Sequence, residues 1–156
     1  MTGGQRDWKL PWRARCRCGA LMMTVSAPPL LLSACHCRGC QRMTAGAYSL
    51  SLTVPKDGFS CSGVEPVRGG TKEQDLHRFC PECLSWVFTR FPDGMPFVNM
   101  RASMLDDPQR IRPFAEFQTA EKLPGVDCGA VVSYERFPPE DEYMALASRF
   151  AAEWTG

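Results

Sequence analysis

Seven cysteines in three tight groups constrain this chain more than any other feature. Cys16 and Cys18 form a C-x-C in "RCRCGA", Cys35, Cys37 and Cys40 a C-x-C-x2-C in "ACHCRGCQR", and Cys80 and Cys83 a C-x2-C in "FCPECLS". A disulfide framework spreads its cysteines, because bridged Cα atoms must sit about 4.4–6.8 Å apart. Short spacings instead offer two sulfurs to neighbouring corners of one metal tetrahedron. Metal sites are therefore expected to organise the fold, tying segments far apart in sequence.

Zinc cages take four ligands, and seven thiols do not divide by four. Two pairs and a triplet suggest a partition. Cys16, Cys18, Cys80 and Cys83 close a structural zinc site, while Cys35, Cys37 and Cys40 hold a second zinc by three. Three protein ligands with an exchangeable fourth characterise catalytic zinc, and a saturated tetrahedron characterises structural zinc. The alternative partition, Cys35 and Cys37 with Cys80 and Cys83, strands Cys40 and a whole pair. Three thiolates on a divalent ion leave one net negative charge, so the triplet is a poor generator of hydroxide. A soft, sulfur-rich site suits a soft visitor, a substrate thiol, which it would deprotonate near neutral pH.

The rest of the sequence fits one small soluble domain over residues 1–156. The net charge of +1 gives no sign of a nucleic-acid or membrane-surface partner. "MTGGQRDWKLPWRAR" lacks the apolar core of a signal peptide, and "APPLLLSA" is too short to span a bilayer, so a cytoplasmic location is expected. The 13 prolines and 13 glycines argue against a long-helix bundle. "ALMMTV", "SWVFTRF" and "MPFVNMRAS" read as strands, the second ending at a Pro92-Asp93-Gly94 turn. In "GAYSLSLTVP", Leu50, Leu52 and Val54 alternate with Ser49, Ser51 and Thr53, which predicts a strand with one wet face. After Pro138-Pro139, acidic residues precede Tyr143, Leu146, Phe150 and Trp154 at helical spacing, predicting an amphipathic helix over about 139–154.

The three blocks "CRCGA", "CHCRGCQRMTAGA" and "RFCPECLSWVF" resemble the signature of the glutathione-dependent formaldehyde-activating (GFA) enzymes, a domain shared with centromere protein V. The resemblance runs from about Cys16 to Leu105, leaving the tail beyond Pro113 outside it. It implies a mainly β fold of several small coiled antiparallel sheets, called a β-tent, with two Zn2+ per chain. It places the structural zinc on Cys16, Cys18, Cys80 and Cys83 and the catalytic zinc on Cys35, Cys37 and Cys40. The reaction it implies is that of a carbon–sulfur lyase, joining glutathione and formaldehyde as S-(hydroxymethyl)glutathione. Members commonly carry Gly-Ser after the last cysteine, where this chain has Leu84-Ser85.

Other residues have plainer expected roles. His36 should point away from the metal between its neighbours, and His77 should hydrogen-bond nearby. Cys61 and Cys128 are expected to be small buried residues. Arg38, Arg42 and Arg78 could pair with substrate carboxylates. Three rival readings stand beside the enzyme: a non-catalytic zinc module that binds another protein, a C-x2-C thiol–disulfide centre, and an iron–sulfur site.

Overall fold

Leu50, Leu52 and Val54 on one side, and Ser49, Ser51 and Thr53 on the other, give one strand two unlike faces, and the fold is built on that difference. The computed structural model describes residues 7–71, 73–74, 76–92 and 94–154. The chain runs through β1 (Trp12–Arg15), β2 (Leu21–Val25), β3 (Leu31–Cys35), α1 (Arg38–Thr44), β4 (Ser49–Pro55), β5 (Phe59–Gly63) and β6 (Val67–Gly69). It continues through β7 (His77–Phe79), β8 (Trp86–Arg90), β9 (Phe97–Arg101), β10 (Ala115–Phe117), β11 (Val132–Ser133) and α2 (Glu140–Glu153). The expected mainly β class with a C-terminal helix is what forms. Asp93, in the expected Pro-Asp-Gly turn, lies outside the described residues.

The strands make two sheets, β1-β2-β5 and β11-β10-β3-β4-β9-β8-β7-β6. The larger is antiparallel except where β10 lies parallel to both β3 and β11. A Cβ at Gly63 would lie 2.1 Å from the Ala20 carbonyl oxygen, and φ is +92° there, so the close end of the β2–β5 pair requires glycine.

Cross-strand register sorts the larger sheet into layers. Leu32, Leu52, Met100 and Phe88 form one apolar row, and Val54 pairs with Val98 beside it. Leu21, Met23 and Val25 of β2 share a single buried cluster with these residues, so one core joins the two sheets. The opposite face is polar. Ser33 pairs with Ser51 and Ser51 with Arg101; Thr53 pairs with Asn99 and Asn99 with Thr89. The expectation of a wet face is corrected here. Ser49 is 1% exposed, Ser51 7% and Arg101 5%, because α1 and the turn Ala102–Met104 pack on β4. Polar groups buried in this way need hydrogen-bond partners from protein, water or ligand.

α1 is seven residues long with no apolar stripe, which is why periodicity does not announce it. Its ends are set locally. Cys37 caps its N-terminus by accepting the Cys40 N–H, and Ala45 closes it in the left-handed region, donating its N–H to the Gln41 carbonyl. α2 buries Leu146 and Phe150. Phe150 packs on Phe114 and Trp8, and Trp154 stacks on Trp8 while its indole N–H donates to the Arg112 carbonyl at 2.9 Å. Among the described residues no helix is long and apolar enough to cross a membrane.

Candidate metal centre

All nine cysteines are free, and seven of them gather in two clusters. Cys16, Cys18, Cys80 and Cys83 bring their sulfurs within 4.8 Å of one another. Cys16 ends the β1 side of a tight turn, where its N–H bonds the Leu21 carbonyl at 3.0 Å and its Sγ accepts the Leu21 N–H at 3.3 Å. Cys80 and Cys83 flank a second turn, closed by Leu84 N–H to the Cys80 carbonyl at 2.9 Å and Cys80 N–H to the Ser85 carbonyl at 3.0 Å. The fit to a metal is close. The Cys16–Cys18 and Cys18–Cys80 sulfurs are 3.5 and 3.8 Å apart; a zinc tetrahedron with Zn–S near 2.3 Å has edges of about 3.8 Å.

The electrostatics of this group reflect crowded sulfurs sharing protons. Desolvation pushes the Cys16 thiol up, but the Leu21 amide and Cys18 bring it below its ordinary value. Cys18 receives some relief from the Ala20 amide, yet desolvation and the neighbouring thiols push it up to about 12. Desolvation also opposes the Cys83 thiolate, but Ser85 and Cys18 pull that thiol down to about 5. A metal ion held by Cys16, Cys18, Cys80 and Cys83 would replace the shared protons and release them on binding.

Cys35, Cys37 and Cys40 form the second cluster, again with sulfurs within 4.8 Å, and among the described residues no further ligand joins it. Cys35 ends β3, Cys37 caps α1 and Cys40 lies in its first turn, where its N–H reaches the Cys37 sulfur at 3.3 Å. Strand end, cap and helix turn thus converge three thiols on one point. Gln41 anchors the loop, its Nε2 donating to the His36 carbonyl at 2.6 Å and the Glu121 carbonyl at 2.9 Å. The hydrogen bond with Cys35 pulls the Cys40 thiol down, against burial, to about 5, and Ser49 and Arg101 add to that pull. The same bond and burial push Cys35 far up.

Arg101 is the arginine beside this cluster, and sequence reasoning missed it. Burial lowers the guanidinium to about 10 while Cys40 and Cys35 raise it, so it stays charged near neutral pH. Arg38 and Arg42 lie exposed on α1, and the Arg78 Nη1 donates to the His77 carbonyl at 3.3 Å. The missed signal is a cation at the end of the alternating run "FVNMR", on the same face as Asn99.

Both histidines have protein partners. His36 is fully buried, its Nε2 2.8 Å from Glu116 Oε2. His77 Nδ1 lies 2.9 Å from Thr89 Oγ1, and its ring meets Trp86 edge-on. The expectation of buried roles for Cys61 and Cys128 is corrected. Cys61 is exposed on β5, and Cys128 is partly buried, donating to Glu116 Oε2 at 3.2 Å.

His36, Glu116 and Cys128 are themselves close enough to suggest a third metal group. Glu116 already accepts from Ser133 at 2.6 Å and from the Lys122 ammonium at 3.0 Å. The carboxylate's charge is thus already matched by the Lys122 ammonium, and the group reads as an ion-pair network.

The sequence model of the family described as "Glutathione-dependent formaldehyde-activating enzyme" matches residues 11–121, a wider span than the three cysteine blocks. A crystal structure of a Rhodobacter sphaeroides protein, a structural-genomics target, is similar with a TM-score of 0.45 and 17% identity over 62% of this chain and 92% of that one. No curated protein matches. With most of its length, including all seven clustered cysteines, inside the matched span, this chain belongs to the GFA family.

Proposed function

We propose that this protein is a single zinc domain that adds a small thiol, glutathione being the family's own, to formaldehyde or a similar small aldehyde. The carrying observation is the contrast between the clusters: four sulfurs meet in one and three in the other. Four thiolates complete a tetrahedron and serve stability; three leave the last corner to a ligand from outside the chain. Zinc in the trio would supply Lewis acidity that turns a substrate thiol into a thiolate at neutral pH.

The chain's own residues do the remaining work. Gln41 and the Glu121 carbonyl hold the loop that carries Cys37 and Cys40, so the three sulfurs keep one geometry. Glu116 turns the His36 ring away, leaving the trio all-sulfur and suited to a sulfur ligand. The Arg101 charge offsets the excess negative charge of three thiolates. Addition of thiolate to an aldehyde is intrinsically feasible, so positioning is the main contribution asked of the protein.

The test combines metal content with turnover. Purified protein should hold two zinc ions per chain and consume formaldehyde faster with glutathione than the uncatalysed mixture does. Cys40→Ser should keep about one zinc and the folded state but lose the acceleration. A non-catalytic zinc module predicts a different pattern: no acceleration in the parent protein and no change at the second metal on adding glutathione.

A further inference from the structure

The polar face of the larger sheet holds two buried donor atoms without a hydrogen-bond partner, Arg101 Nε and Ser49 Oγ. Arg101, 5% exposed, ends β9 across from Ser51. Its Nη2 donates to the Asn99 carbonyl at 3.3 Å, but its Nε has no hydrogen-bond partner. Its guanidinium carbon lies 4.0 Å from the Trp86 ring centroid, a cation–π contact that holds the side chain in place. Ser49, paired with Cys35 across the strands and 1% exposed, also has an unpartnered hydroxyl; it lies beside Cys40 without normal hydrogen-bond geometry. Buried donors are almost always satisfied. Two unsatisfied ones beside the same three thiols therefore point to an acceptor that arrives with a ligand.

Balancing thiolate charge explains why a cation is there. It does not explain a guanidinium held over an indole with a buried Nε that has no acceptor, because a point charge would serve equally well. Resting on the reading given under Proposed function, we propose that Arg101, assisted by Ser49, receives the aldehyde oxygen. In the step, a C–S bond forms from the thiolate lone pair, the C=O π pair moves onto oxygen, and the resulting alkoxide takes a proton from water. No electron is gained or lost overall. Fixed donors aimed at an oxygen that becomes charged stabilise the transition state more than the ground state. The ligand class is an unhindered small carbonyl compound or a small oxyanion of similar shape.

Formate, a one-carbon oxyanion that cannot react, reads the site without turnover. Calorimetric titration should show formate binding to the zinc-loaded parent protein, and binding at least about tenfold weaker to Arg101→Gln, the loss of one charge-assisted contact. Arg101→Gln should retain both metals and its glutathione affinity, while formaldehyde turnover falls roughly a hundredfold, mainly in kcat. Arg101→Lys should recover part of the rate, and millimolar guanidinium should partly rescue Arg101→Ala. Equal formate affinity in parent and Arg101→Gln, or no binding to either, overturns the proposal. So does a rate loss that follows loss of zinc or of glutathione affinity, since a counter-ion alone would produce it. Arg101-dependent formate binding in a protein without turnover upholds the oxygen site and removes the proposed reaction instead.

Discussion

Leu84 donates its N–H to the Cys80 carbonyl at 2.9 Å while its own φ stands at +58°. The turn that presents Cys80 and Cys83 thus demands the left-handed conformation at the position where the family commonly has glycine. A side chain there costs about 1–2 kcal/mol, and Leu84 recovers little by packing because it is 71% exposed. Leu84→Gly should therefore stabilise the protein by up to about 1 kcal/mol after the extra entropy of an unfolded glycine. Chemical denaturation of the zinc-loaded protein checks this, with metal content unchanged.

Metal removal should be visible in thiol reactivity. In zinc-loaded protein only Cys61 and Cys128 lie outside the two sulfur clusters. Mass spectrometry after brief alkylation should show at most two labels per chain, at those positions, rising to nine after chelation and unfolding. Cys80→Ser should lower the thermal midpoint far more than Cys40→Ser, because the four-sulfur site joins the β1–β2 turn to a segment more than sixty residues later.

Glu116 makes stability depend on acid. Burial works against its carboxylate, but Ser133, Lys122, Cys128 and His36 together hold it down to about 2, below the ordinary 4.5. A carboxyl lowered by folding adds stability that is complete above its unfolded value and is lost as pH falls toward the folded one. Glu116→Gln should thus cost on the order of 2 kcal/mol near pH 7. The difference from the parent should shrink between pH 4.5 and about 2. Urea titrations across that range measure it.

The C-terminal helix is anchored by one ring. Phe150 is fully buried against Phe114, Trp8 and Trp154. Phe150→Ala should destabilise by about 3–4 kcal/mol, read from denaturation midpoints, while both metals remain bound.

Much of this was legible in sequence because it rests on periodicity or spacing. The alternation around Leu52 gives β4, the apolar spacing of Leu146 and Phe150 gives α2, and the cysteine spacings separate a pair-and-pair group from a trio. What escaped depends on contacts between distant segments. The run "LLLSAC" does not alternate because β3 is covered on both faces, so it reads as a plain apolar stretch. Glu116 looks like an ordinary acidic residue until β10 lies parallel beside β3 and brings it to His36. Arg101 and Ser49 look like solvent-facing residues of alternating strands, and it takes contacts between separate segments, α1 and the Ala102–Met104 turn with β4 and Trp86 with Arg101, to bury them.

The division of the larger sheet into an oily side and a hydroxyl-rich side separates two kinds of evolutionary change. Substitutions at Ser49 or Ser51 alter the lining near the sulfur trio without disturbing the Leu52, Met100 and Phe88 row that keeps the molecule folded. Such a scaffold can change what its polar side accommodates while its architecture stays constant.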